Sequence, residues 1–356
     1  MAPTGSLKGN RVLLRDEKEA SPLYNKGAFG TPLSGGGIDL DIVEALYLVD
    51  AGRLSVEDAG RRMDPADLLA LGARSEREFE VRYVVYRDLR NRGFLVKAGV
   101  PSQDPLVKAY DFHLYPRGGF PGKTPSSTLV RAGTERVAFH AARWAEEAAR
   151  AAGLGKSLLA AIVDEEGDLT YYDVKLADPR GEVPVRPRDH SGERAHLLAD
   201  RVVAHGALAD ALASEEHYGR ALSPGRQLSP EETLYLLEET GMGLEDAASG
   251  ERVAASAFRA RARGLNPEFD ALYPVFRDLR ARALVVKTGF KYGTHFRVYR
   301  SGPDEGHAPY LVHVLGEKGV PWPEIAGFIR LAHGVRKAML FATSGGRYVE
   351  LTRTRP

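Results

Sequence analysis

The chain is written twice. Leu46-Tyr47-Leu48 returns as Leu234-Tyr235-Leu236, and Glu57-Asp58-Ala59 as Glu245-Asp246-Ala247, both 188 residues later. VYRDLR at 85–90 returns as VFRDLR at 275–280, and Val96-Lys97 as Val286-Lys287, at an offset of 190. Phe112 and Tyr115 match Phe296 and Tyr299 at 184. Offsets that drift this little while keeping their order describe a tandem duplication with small insertions, so any fold for this chain has to be built two times over.

Between the copies, DPRGEVPVRPRD (178–189) is rich in proline and arginine and carries neither helix nor strand periodicity; it reads as a linker. Each copy divides again. In the second, Ser229-Pro230-Glu231-Glu232 ahead of LYLLEETG is a capping box with proline at the first helical position. The VFRDLR helix then leads into LVVKTGFKYGTHFRVYR, whose short β-rich runs between glycines read as strands. A helix is expected from about Pro323, with Ile325, Phe328, Ile329, Ala332, Val335 and Met339 as one apolar stripe. The last residues, RYVELTRT, alternate like an edge strand. The expected class is α+β: a helical or mixed front module over 1–78 and again over 194–266, a compact α/β module over 79–177 and again over 267–356, and a linker over 178–193.

Composition narrows the function classes. The 356 residues, 43% apolar and 27% charged, suit two to four small soluble domains. The absence of cysteine excludes disulfides, thiolate metal sites and a cysteine nucleophile, and fits a reducing cytoplasm. The start MAPTGSLKGNRVLLRDEKEA lacks the apolar core of a signal peptide, and no run approaches the ~20 apolar residues a bilayer requires. A net charge of +1 singles out no polyanionic partner, but charge is uneven. Residues 287–300 hold Lys287, Lys291, Arg297 and Arg300 with no acid, and residues 323–356 hold six basic residues against Glu324 and Glu350. Brought together, these segments would form a cationic surface suited to a polyphosphate; apart, they are solvated charge.

The residues equipped for chemistry lie in those segments. In HFRVYR, Phe296 and Val298 share one strand face and Tyr299 points to the other. His307 ends a Gly-, Pro- and acid-rich loop just before Ala308-Pro309, and histidine is the side-chain type best suited to proton transfer at neutral pH. Arg330 and Lys337, seven apart, fall on one helix face away from the stripe. Taken singly, each has a plainer reading: a half-buried tyrosine, a solvent-facing histidine, a solvated helix face. Arg336 fits neither the stripe nor the polar face.

KYGTHFRVYRSGPDEGHAPYLVHV followed by FIRLAHGVRKAML resembles the catalytic half of the archaeal tRNA-splicing endonucleases, and both copies fit that family. The resemblance implies Tyr299 at the end of FRVY as base, His307 at the start of HAPYLV as acid, and Lys337 in HGVRK as the group stabilising charge on the phosphate. It also implies Arg330, and Arg353 near the C-terminal strand, as arginines that clamp an RNA base. The implied reaction uses the substrate's own 2′-hydroxyl as nucleophile, needs no metal or other cofactor, and leaves a 2′,3′-cyclic phosphate and a 5′-hydroxyl. The implied substrate is precursor tRNA at bulge–helix–bulge sites.

The first copy looks silent. Tyr115 stands where Tyr299 does, and at the same offset of 184 Lys123-Thr124-Pro125 faces His307-Ala308-Pro309, so a lysine replaces the acid. Lys156 matches Lys337 at 181. GLGKS (153–157) resembles a phosphate-binding loop but lacks its first glycine and follows an Ala-rich helical run, the wrong context. Asp164, Glu165, Glu166 and Asp168 form an acidic turn that the family resemblance implies is a docking loop, making the chain a homodimer with two live sites; the plainer reading is a solvated acidic hairpin. Two other function classes compete. A non-catalytic RNA-binding scaffold is disfavoured by the intact Tyr299, His307 and Lys337. A metal-dependent DNA nuclease is disfavoured because the basic segments carry no acidic pair beside a lysine.

Overall fold

The computed structural model describes residues 2–98, 110–214, 216–343 and 345–356. Its centre is a ten-stranded sheet. Val96–Ala98, Phe112–Leu114, Thr128–Thr134, Ser157–Val163 and Leu169–Ala177 run inward from one edge. Val285–Thr288, Phe296–Tyr299, Tyr310–Val314, Ala338–Ala342 and Tyr348–Thr354 run inward from the other in the same internal order. The two series join where Leu169–Ala177 and Tyr348–Thr354 pair antiparallel, Tyr171 opposite Thr354 and Ala177 opposite Tyr348. The C-terminal strand is therefore central, not the edge strand its alternation suggested. Alternation reports which face is buried and carries no information on how many backbone edges are paired.

Each series contains one parallel pair, and a parallel pair requires a crossover. Helix Ala141–Gly153 joins Thr128–Thr134 to Ser157–Val163, and helix Trp322–Gly334 joins Tyr310–Val314 to Ala338–Ala342. Both helices pack on a shared aromatic core of Phe139, Trp144, Tyr172, Trp322 and Phe341, and Phe139 bridges to Val320. The second helix is shorter than its sequence pattern. Ile325, Ile329 and Ala332 are buried as expected, but Val335 is 39% exposed and Met339 belongs to the following strand. Arg336 explains the break: it takes the left-handed conformation (φ +56°), which turns the chain from helix to strand, and its neighbour Lys337 donates its N–H to the Ala332 carbonyl at 2.9 Å. Gly155 does the same in GLGKS (φ +66°), with Lys156 N–H on the Ala151 carbonyl at 2.9 Å. That segment runs helix, turn, strand, the reverse of a phosphate-binding loop.

The front modules are mixed rather than helical. The first carries a six-stranded sheet with helices Glu17–Gly27, Ile42–Asp50 and Pro65–Ser75. The second carries a five-stranded sheet with helices Gly206–Ser214, Pro230–Glu239 and Ala255–Leu265. The expected capping box is present, Ser229 and Glu232 satisfying one another's backbone N–H groups. The strands of these modules are short, three to five residues for the most part, and escaped the periodicity reading for that reason.

The repeated VYRDLR and VFRDLR lie in helices Phe79–Asn91 and Phe269–Ala281 and are structural. Arg90 donates to the Gly27 and Val96 carbonyls at 2.9 and 2.6 Å, and Arg280 to the Glu216 and Leu284 carbonyls at 3.4 and 3.0 Å, tying front module to sheet. Asp88 receives the Tyr171 hydroxyl and Asp278 the Tyr348 hydroxyl, both at 2.6 Å. Beside them, Lys97 pairs with buried Glu44 at 3.1 Å and Lys287 with Glu232 at 2.7 Å. Removing one partner of so buried a pair costs about 3–5 kcal/mol. The linker is docked as well: Glu182 N–H bonds the Arg300 carbonyl at 2.8 Å and Val183 N–H the Ala283 carbonyl at 3.1 Å. Among the described residues no helix is long and apolar enough to cross a membrane.

Candidate active site

Tyr299 closes strand Phe296–Tyr299, opposite Val285 of the edge strand. Phe296 and Val298 enter the core shared with the second front module, while Tyr299 enters a separate small cluster with Val183, Val285 and Ala308. The ring is 7% exposed. Burial pushes its phenol above the ordinary value; Arg297 opposes the shift, and Tyr292 and Asp304 reinforce it. The Arg297 guanidinium lies 5.3 Å from the ring centroid. The cation that favours ionisation is thus Arg297, and it does not outweigh desolvation.

His307 is exposed at the end of the loop that starts at Arg300. Its anchor is the next residue. Ala308 is buried beside Tyr299, and its carbonyl accepts the Lys337 ammonium at 2.5 Å. One bond therefore fixes the position of the Ala308–Pro309 peptide, just after His307, and of Lys337. The ammonium has three donors and spends one here; it also stands 5.9 Å from the Tyr292 ring centroid. The three elements that carry Tyr299, His307 and Lys337 end at the same end of the sheet: the strand closing at Tyr299, the strand opening at Tyr310, and the turn after Gly334.

Three members of this site escaped sequence reasoning. Tyr292 sits on the 3-10 turn Phe290–Tyr292, bracketed by Gly289 and Gly293; those paired glycines in KTGFKYGT were the available signal. Val183 comes from the linker and had no signal. His217, from the second front module, stands over Gly302 in the loop before His307, where a Cβ would lie 2.7 Å from its Cε1. Burial lowers His217, and Glu305 draws it back.

The first half holds a parallel arrangement without the acid. Tyr115 is buried, and burial and Tyr24 raise its phenol. Lys156 Nζ reaches the Ser126 carbonyl and donates to Ser126 Oγ at 2.7 Å; burial lowers this lysine. Ser126 thus occupies the position of Ala308, and Ser157 N–H meets the Ser127 carbonyl as Ala338 N–H meets that of Pro309, at 3.0 and 2.9 Å. The residue standing where His307 does is then Pro125, and the expected match to Lys123 is corrected. The loop after Tyr115 is two residues longer than the loop after Tyr299, so the offset falls from 184 to 182 across it. Lys123 is exposed in a turn within that loop.

The two predicted clamp arginines are both exposed, and the charges of both act on Tyr172, on the first half's last strand, opposing the rise that burial gives its phenol. Arg353 lies directly opposite Tyr172 in the sheet. The predicted cationic surface is smaller than the sequence count, because Lys287 is spent on Glu232 and Arg347 lies 3.7 Å from Glu146. The acidic turn is exposed: the Asp164 carboxylate accepts the N–H groups of Glu166 and Asp168 and so shapes the turn, and Glu165 pairs with Arg136 at 2.9 Å.

With this geometry in place, comparison with known proteins is specific. The model for the tRNA intron endonuclease catalytic C-terminal domain matches residues 79–171 and again 269–350, and that for the tRNA intron endonuclease N-terminal domain matches residues 4–69. The tRNA-splicing endonuclease of Methanosarcina mazei is 39% identical over 97% of this chain and 96% of its own length. Those of Methanococcoides burtonii and Halobacterium salinarum are 36% and 35% identical, covering 97% and 96% of this chain and 97% and 94% of theirs. The chain belongs to the tRNA intron endonuclease family.

Proposed function

We propose that this protein is a metal-independent RNA endonuclease that excises introns from precursor tRNA at bulge–helix–bulge sites. The 2′-oxygen bonds to phosphorus as the bond to the 5′-oxygen breaks. Tyr299 takes the 2′-hydroxyl proton, His307 gives one to the departing 5′-oxygen, and Lys337 meets the charge on the phosphate with the donors Ala308 leaves free. The products are a 2′,3′-cyclic phosphate and a 5′-hydroxyl. A phenol near its ordinary value is only about 0.1% ionised at pH 7, and burial makes the phenolate of Tyr299 scarcer still; Arg297 over its ring limits that cost. The observation that carries this reading is the Lys337–Ala308 bond, which ties the ammonium to the residue that follows exposed His307 and packs beside buried Tyr299. Arg330 and Arg353, both exposed and both acting by charge on Tyr172, suit the role of base clamp.

The chain is read as a tandem duplication with one live half: the two series of five strands, the paired Arg90 and Arg280, and the two lysine anchors support it. Cleavage of a bulge–helix–bulge RNA should persist in excess EDTA and leave a cyclic phosphate. Loss of cleavage on chelation, or a 5′-phosphate product, would refute it.

One live site per chain and two cuts per intron imply a homodimer, with Glu165, Glu166 and Asp168 docking on a second copy and Asp164 holding the turn. Reversing Glu165, Glu166 and Asp168 to lysine, and leaving Asp164 in place, should bring the solution mass down to the 38.8 kDa of one chain. A dimer that survives those three reversals would remove the docking role.

A further inference from the structure

We propose that Phe290 is a stacking platform for an unpaired RNA base flanking the scissile phosphate. The inference rests on the endonuclease reading above and adds a specificity-determining residue to it. Phe290 is 88% exposed, and the next most exposed large apolar side chain among the described residues, Leu265, reaches 57%. The ring is not on a loose loop. Tyr292 N–H closes on the Gly289 carbonyl at 2.7 Å, Gly293 N–H on the Phe290 carbonyl at 3.0 Å, and Gly289 N–H on the His295 carbonyl at 3.0 Å. Gly293 supplies the left-handed residue (φ +62°), and a Cβ on Gly289 would collide with Thr294. A turn fixed at both ends presents a large apolar ring to solvent.

Its place gives the ring an occupant. Tyr292, on the same turn, lies under the Lys337 ammonium and within the field of Tyr299. Residues two apart have Cα atoms at most ~7 Å from one another, so the Phe290 ring stands within a few nucleotides of the phosphate that Lys337 meets. Exposed Lys291 sits between the two aromatics. An exposed aromatic face beside a cation is the surface on which single-stranded nucleic acid stacks, and such stacking is tolerant of sequence. A base inside a helix is already stacked, so the platform favours unpaired nucleotides at the cut.

The probe is a bulge–helix–bulge RNA with 2′-deoxy nucleotides at the cut sites, which removes the nucleophile, compared at one salt concentration with a fully paired RNA of equal length. Phe290→Ala should bind the bulged RNA roughly 5- to 150-fold more weakly. Phe290→Trp should retain binding, and the paired RNA should not distinguish the variants. Wild-type-like binding of bulged RNA by Phe290→Ala overturns the platform while leaving the endonuclease reading intact. Failure of the wild-type protein to prefer bulged RNA overturns both. A Phe290→Ala protein that becomes monomeric assigns the ring to a contact between copies and overturns the platform as well.

Discussion

Replacing His307 by alanine should lower cleavage by about 10²- to 10⁴-fold, the range for a positioned general acid, and leave the unfolding temperature unchanged. The ring is exposed, so its loss opens no cavity; the neighbouring Ala308, which is buried and bonded to Lys337, stays where it was. The first half offers no replacement. Its counterpart is Pro125, which has no proton to give, and Lys123 is exposed two residues earlier in a longer loop. The measurement is a single-turnover rate at saturating protein, which isolates the cut from binding. Retention of the wild-type rate would place the acid elsewhere and dismantle the assignment of a silent first half. A large loss of folded protein would show His307 to be structural, against its exposure.

What the sequence disclosed, and what it withheld, follows from where each signal resides. The repeated segments stand out in the sequence because they include buried groups such as Arg90 and Arg280, which tolerate little change. The register of the first half was misjudged by two residues, because the loop after Tyr115 is longer and only backbone pairing locates its end. The helix after Trp322 was drawn too long because Val335 and Met339 continue its apolar stripe by coincidence, the first being exposed and the second on a strand. Arg336 is intelligible only as a left-handed turn residue, for which a non-glycine side chain gives no warning. Tyr299, His307 and Lys337 were singled out through the family motifs FRVY, HAPYLV and HGVRK that carry them. Val183, His217 and Tyr292 reach the site from segments distant in sequence or carrying ordinary side chains, so no local pattern marks them. Arg353 could be tied to Arg330 only through Tyr172, a residue of the other half.

Lys337→Met should cost about 10²- to 10³-fold in cleavage, the loss seen when a preorganised charge-stabilising donor is removed. Any such lysine that also holds structure confounds charge with placement, since Lys337 fixes the Ala308 carbonyl at 2.5 Å. The chain provides its own control. Lys156 makes the same contact in the first half, on the carbonyl and hydroxyl of Ser126, and leaves the corresponding turn through the same left-handed geometry. Hydrogen bonds from a charged donor contribute about 1.5–3 kcal/mol, so Lys156→Met and Lys337→Met should lower the unfolding temperature by similar amounts. Only the second should slow the cut. Equal losses of activity in the two variants would mean that both halves work on RNA, and that the asymmetry between Pro125 and His307 does not decide which half is the enzyme. A loss confined to Lys337→Met, at matched stability, separates the electrostatic role from the architectural one, because the architecture has been subtracted by its own repeat.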